Sequence, residues 1–448
     1  AILAEQNHHS DGFRAGSAET CQNVAPGYCD NASHSALRSG RTNRGSGDSS
    51  CATPHIAAAS SPRCDDQDSA MTPSILPPAT SLQLRKHRHA SALSTTPLKG
   101  DNADDYTTPV YIDGQGPFSL NVDTGSALVG VAGNETIGCD LFYDSSACDG
   151  GPIKVVYGSG FWSGVVCEAT VTLGAYNVTN YKFGAYQKQK AMTTCERTPE
   201  EDATSPRHMT QPHNYMQGIV GLTAGEVGLT AGSPPLLDVL FATHADVDPV
   251  FGLQCCGFDR GRGGGGALDV GGFDARRFYG AIQWVPITKR PYWAVRATSI
   301  RFGAADVLPA DVAAIDAYAD GTDQSIVDSG TSGLVLPKRA FDAAVATLSA
   351  AAPDVPRAFW KGEACVDASK LDLSSLPELT VSLATEGDDV VLTMPACRYV
   401  NRVPKTSYCA AEAPPRKEDA YFFSVGPIEE GRNVILGQSL FESYYVAH

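Results

Sequence analysis

The 448-residue sequence predicts a mostly-β protein of two related lobes, with a few short helices and a central cleft. Three observations predict this. Short runs of alternating or β-branched residues, punctuated by Gly and Pro, begin at Tyr106 and continue to the end of the chain. An apolar strand ending in Asp-Thr/Ser-Gly occurs twice, as "FSLNVDTGS" (118–126) and "QSIVDSGTS" (324–332). Each copy is followed about a hundred residues later by two apolar residues and a glycine: Gly221 of "GIVGL" lies 98 residues after Asp123, and Gly437 of "VILGQ" lies 109 after Asp328. One supersecondary unit used twice would set the two turns face to face.

Composition bounds the function classes. A hydrophobic fraction of 42% with 19% charged residues is ordinary for a globular core, and the length suits two or three domains. A formal net charge of −16 argues against a nucleic-acid partner, which requires a basic face. No apolar run reaches the roughly 20 residues of a membrane helix, so this chain is expected to hold no membrane segment. Ala1-Ile2-Leu3-Ala4 shows neither an initiator Met nor a signal pattern, so the start of the gene product is expected to be absent or misassigned. Thirteen cysteines without paired Cys-x-x-Cys motifs, and Asn-x-Ser/Thr triplets at Asn31, Asn134 and Asn177, indicate an oxidising compartment of the secretory or endomembrane pathway.

Along the chain, residues 1–100 read as a disordered low-complexity tail. They hold six of the ten histidines, only Phe13 and Tyr28 as aromatics, and too little apolar surface to offset ordering entropy. Cys21, Cys29, Cys51 and Cys64 are irregularly spaced, so no metal site is expected there. The basic stretch "SLQLRKHRHA" (81–90) stands just before the β-rich region. From Tyr106, "YTTPVYID", "PFSLNVD", "GVVCEATVTLG" and "NVTNYKFGAY" read as strands. Helices are expected at 234–245 and at 337–352, the latter rich in Ala and opening after a Pro. The division follows: an N-terminal lobe over 101–248 with the first acid, and a C-terminal lobe over 249–448 with the second.

Two acids on facing turns point to a specific chemistry. Neighbouring carboxylates cannot both ionise freely, so the pair shares one proton and titrates as a unit. One member then serves as general base on a water while the other polarises a carbonyl, with no metal, cofactor or covalent intermediate required. Gly125 and Gly330 let backbone approach the carboxylates, and Ser126 and Thr331 offer hydroxyls to orient them. Thr124 and Ser329 are placed to tie each turn to the opposite lobe. Cys139 and Cys148 enclose a short loop after the first turn and are candidates for a disulfide.

"VDTGS", "VVYGSGFWSG", "GIVGL", "GGFDARRFYGAIQWVPIT", "SIVDSGTS" and "VILGQSLFESYYV", in this order over 106–446, resemble the pepsin-type aspartic endopeptidases. "FGLQCCG", "SIVDSGTSGLVLPKRAFDAAV" and "AFWKGEACV" are similar to the β-secretase (memapsin) branch. The resemblance implies a bilobal pepsin-like fold acting as a monomer, with Asp123 and Asp328 as the catalytic pair. It implies a flap over the cleft formed around Tyr157, Gly158, Ser159 and Gly160, with Trp162 oriented on the Tyr157 hydroxyl. It also implies an extended peptide or protein substrate with hydrophobic side chains beside the scissile bond, a Cys365–Cys409 disulfide, and a partner for Cys256 beyond the final strand. On this likeness the final strand of the sheet, and any membrane anchor after it, is missing from the chain, leaving an exposed edge. The likeness further casts 81–100 as a short basic prosegment. A catalytically inactive peptide-binding homologue is the alternative; it predicts loss of an acid or its hydroxyl neighbours, all of which are present.

Overall fold

The computed structural model describes residues 2–6 (backbone only), 93–100, 105–134, 139, 141–158, 160–193, 195, 216–223, 225, 234–257, 265–289, 291–313, 325–403, 409, 417–429 and 434–448. The basic stretch 81–90 lies outside them.

Strand propensity and alternation organise the first half. In β4 (Gln115–Asp123), Phe118, Leu120 and Val122 point into the core while the strand carries Asp123 to its end. It joins β3 (Thr107–Ile112), β5 (Val129–Ala132), β6 (Pro152–Val156), β7 (Phe161–Leu173), β8 (Tyr176–Lys190) and β9 (Gly218–Gly221) in a seven-stranded sheet, ordered β3-β4-β9-β5-β8-β7-β6. In the second half, β13 (Ala294–Val295), β16 (Ser325–Val327), β17 (Leu334–Pro337), β23 (Val425–Ile428) and β24 (Ile435–Leu436) form a sheet ordered β13-β16-β24-β17-β23.

The two sheets contain the same unit. β9 lies between β4, to which it is parallel, and β5, to which it is antiparallel; β5 then runs parallel to β8. In the second half β24 lies between parallel β16 and antiparallel β17, and β17 runs parallel to β23. Asp123 pairs directly with Gly221, and the Asp328 amide donates to the carbonyl of Leu436, next to Gly437. The spacing repeat in the sequence is therefore a repeat of topology. A β-carbon at Gly221 would strike the backbone of Ser126, Ala127 and Leu128, and one at Gly437 the carbonyls of Thr331 and Gly333. Each glycine lets its acid-bearing turn fold over the strand beneath it.

A six-stranded antiparallel sheet draws its strands from residues 1–100 and from the second half. It is formed by β1 (Ile2–Gln6), β2 (Ser94–Leu98), β10 (Phe251–Cys255), β11 (Gly266–Val270), β12 (Phe278–Trp284) and β25 (Tyr444–Ala447), in the order β12-β1-β25-β10-β11-β2. This corrects two expectations. The 1–100 segment is not tail throughout: its two ends are strands, because pairing partners distant in sequence supply the burial that local composition lacks. Ser94, Thr96 and Leu98, for example, are buried against β11. Nor does the stop at residue 448 leave an open edge beside β25, since β1 pairs with it from Ile2↔Ala447 to Glu5↔Tyr444.

The remaining strands form two smaller sheets that add Ile300, Leu379, Val381 and Val400 to the main core. β14 (Ala297–Phe302), β15 (Ala305–Asp306), β19 (Leu379–Leu383) and β20 (Val390–Met394) form one small sheet, and β18 (Val366–Asp367), β21 (Val400–Val403) and β22 (Ala420–Phe423) another. The two expected helices are α1 (Leu236–Thr243) and α3 (Lys338–Ala351); short α2 (Ala310–Ala313) and α4 (Gln438–Phe441) are added. In α3, Ala340, Phe341, Ala344, Val345 and Leu348 form the buried stripe. No helix among the described residues is long and apolar enough to cross a membrane.

Candidate active site

Strands β4 and β16 end at the same place from opposite halves, and their turns are tied reciprocally. The Thr124 amide donates to Ser329 Oγ at 3.1 Å, and the Ser329 amide donates to Thr124 Oγ1 at 2.9 Å. Thr124 Oγ1 then donates to the Val327 carbonyl at 3.0 Å, and Ser329 Oγ to the Val122 carbonyl at 2.6 Å. Both side chains are buried, so each bond replaces water that cannot reach the groups.

This clamp sets the acids together. A β-carbon on Gly125 would lie 2.5 Å from Asp328 Oδ1, and one on Gly330 would collide with the Asp123 carboxylate. Any side chain here would push the pair apart. The Gly125 amide donates to Asp123 Oδ1 at 2.8 Å, and the Gly330 amide to Asp328 Oδ1 at 2.9 Å. Thr331 Oγ1 donates to Asp328 Oδ2 at 2.6 Å. Ser126 Oγ sits beside Asp123 and Tyr157 yet makes no hydrogen bond of good geometry, so the two turns differ here.

Burial, followed by the nearby Asp328 charge, pushes the Asp123 carboxyl well above its ordinary 3.8; a hydrogen bond between the two carboxyls adds to the rise, while Ser126 and the Gly125 amide oppose it. The pair therefore holds a proton in the pH range where an isolated aspartic acid has lost it.

Above the acids stands the β6–β7 hairpin. Trp162 is fully buried, stacks on Tyr186 with centroids 4.6 Å apart, and its Nε1 donates to the Tyr157 hydroxyl at 3.4 Å. Burial raises the Tyr157 hydroxyl above its usual range, and Asp123 contributes, which places the tyrosine within electrostatic reach of the pair. Gly160 packs so closely on the Lys190 carbonyl that no β-carbon fits, whereas Gly158 faces open space. Ser159 lies outside the described residues.

Residues absent from the sequence reading also converge here. Half-buried Tyr292 feels the charges of both acids, after burial, in its raised hydroxyl. Buried Gln438 donates to the Ser329 carbonyl at 3.0 Å and to Asp105 Oδ1 at 3.2 Å. Asp105 adopts a left-handed φ of 63° and also accepts from Ser332. Gln438 sits inside the quoted "VILGQ" repeat, which was its only sequence signal. Tyr292 carried none, because nothing local marks a residue that the second half folds toward the first.

The cysteine pairing requires correction. Cys139 bonds Cys195 and Cys148 bonds Cys167, not one another. Proximity in sequence does not decide the pairing, because the sheet brings the segment after β8 and the middle of β7 alongside the loop that holds both residues. Cys365 bonds Cys409. Cys256 and Cys397 are also disulfide-bonded, so Cys256 does not await a partner beyond the chain.

The model of the eukaryotic aspartyl protease family matches residues 105–448. The chain is 26% identical over 318 residues to a vacuolar aspartic protease of Candida albicans, covering 66% of this chain and 67% of that protein. It is 27% identical over 366 residues to a β-secretase of Strongylocentrotus purpuratus, covering 74% and 62%. A probable vacuolar protease A of Trichophyton verrucosum is 26% identical over 276 residues, covering 60% of each. The chain thus spans about 60–67% of the length of these relatives. With paired acids on two copies of one strand-turn unit and the family model spanning both copies, the chain belongs to the eukaryotic aspartyl protease family.

Proposed function

We propose that the protein is an aspartic endopeptidase that hydrolyses internal bonds of an extended peptide using a water activated between Asp123 and Asp328. The observation that supports this most directly is the meeting of two buried carboxylates across the Thr124–Ser329 clamp, where burial and the neighbouring charge raise the Asp123 carboxyl. Asp328 accepts the proton of the attacking water as the water oxygen bonds the scissile carbonyl carbon. Asp123, protonated, donates a hydrogen bond to the carbonyl oxygen as it gains charge. The tetrahedral adduct collapses with proton transfer to the leaving nitrogen, so the two products share the elements of water. Tyr157 on the hairpin and Tyr292 from the second half flank this position and bracket the substrate chain. The lobes are assigned to 101–248 and 249–448, with the cleft between them.

Disulfides and the vacuolar and β-secretase relatives support a secretory or vacuolar compartment, where acid pH favours the singly protonated pair. The test is cleavage of a hydrophobic-centred peptide at acid pH, with and without a pepstatin-like inhibitor, by the full chain and by Asp123→Asn and Asp328→Asn. Inhibitor-sensitive turnover lost in both variants is expected. Turnover undiminished by either substitution would overturn the mechanism.

A further inference from the structure

The hairpin that covers the acids has two faces of opposite character. Strand pairing puts Lys154, Ser163 and Lys188 in one cross-strand row, and Val156, Phe161 and Lys190 in the next. Directly paired residues and their i+2 neighbours share a face, so all six lie on the same side of β6, β7 and β8. The opposite side carries Ile153, Trp162 and Tyr186 into the small core beneath the hairpin. On the outer side the three lysines are exposed, and Val156 at 70% is the most exposed large apolar side chain among the described residues. Lys154 Nζ lies 5.3 Å from the Phe161 ring centre. None of the three lysines enters an ion pair among the described residues.

The charge here runs against the rest of the molecule. Residues 152–163 and 182–190 contain four lysines and no carboxylate, in a chain of formal charge −16. Glu168, farther along β7, is paired with Lys182, and Asp149 precedes β6 at the far end from the hairpin tip. A concentrated positive face on an acidic protein selects anionic partners against a repelling background. Its location selects which partner. The same hairpin lies over the acids through Tyr157, so a polypeptide held in the cleft presents its flanking residues to the outer face at high effective concentration.

We propose that this face is an exosite for an acidic segment of the polypeptide substrate, flanking the stretch held in the cleft. The proposal rests on the endopeptidase reading and names a substrate class for it. An anionic membrane surface is less well matched, since three lysines and two apolar side chains make a small footprint for lipid.

The experiment compares two peptides with one hydrophobic cleavable core, extended by three Glu or by three Gln, cleaved by the full chain and by the triple variant Lys154→Gln/Lys188→Gln/Lys190→Gln. At low salt the Glu-extended peptide is expected to show a KM about fivefold lower than the Gln-extended one, at similar kcat. The preference should vanish in the triple variant and at roughly 0.5 M salt, and grow from about pH 4 to pH 6 as the glutamates ionise. Unchanged turnover of the Gln-extended peptide by the variant shows that its fold is intact. Equal KM values for both peptides with the unmodified chain, or a preference retained by the variant, overturn the exosite. Lysine-dependent sedimentation with phosphatidylserine vesicles without a peptide preference overturns it in favour of a membrane surface. No turnover of either peptide by the unmodified chain refutes the endopeptidase reading instead.

Discussion

At the residue scale, the chemistry turns on where one proton sits. Asp123 is buried beside Asp328, and both effects disfavour its charge. Its folded-state pKa lies above the ordinary value, so its contribution favours the fold at acid pH and is lost as pH rises through the raised value. Asp123→Asn is accordingly expected to raise the melting temperature at pH 7 while lowering kcat by roughly 10²–10⁴-fold. Thermal melts at pH 3 and pH 7 would check the sign, because the gain should shrink toward acid pH. Thr124 is the residue on which the geometry hangs: Thr124→Val leaves the buried Ser329 amide without its acceptor. About 1–3 kcal/mol of stability should be lost in urea titration, with kcat falling more than KM changes.

In the hairpin, packing and orientation fall on one side chain. Trp162 is both a core side chain, stacked on Tyr186, and the donor that orients Tyr157. Trp162→Phe keeps most of the packing and removes the donor. The expected result is a KM higher by roughly 2–10-fold, the value of one net hydrogen bond, together with some loss of stability from the space the smaller ring leaves. An unchanged KM would make Trp162 a packing residue only. The disulfides belong to this scale too. Cys139–Cys195 and Cys148–Cys167 tie the loop after β5 to the segment that follows β8 and to β7.

Across the whole molecule, the six-stranded sheet brings the chain's N-terminal and C-terminal segments together around a buried polar cluster. Asp269, fully buried on β11, accepts from Thr95 on β2, from Tyr445 on β25 and from Arg277, while Arg277 Nη1 donates to Gln254 on β10. One ion pair thus links four strands of the sheet. Arg277→Met removes the cation and leaves a buried carboxylate with neutral donors alone. It should cost roughly 3–5 kcal/mol in urea-induced unfolding.

Much of this was legible from local rules. Alternation marked β4, β7 and β8, the Pro-led alanine-rich run marked α3, and the recurrence of Asp-Thr/Ser-Gly with its distant glycine marked both the acids and the repeat. These features are short-range: they depend on period, propensity and turn chemistry, which each stretch carries by itself. What the tertiary structure decided are pairings between distant segments. The strands at Ile2–Gln6 and Ser94–Leu98, the Cys139–Cys195 and Cys148–Cys167 bonds, the approach of Tyr292 and Gln438 to the acids, and the gathering of three lysines on the outer face of the hairpin each exist only after sheet register is set. Register is a property of two strands at once, so no single stretch of sequence contains it.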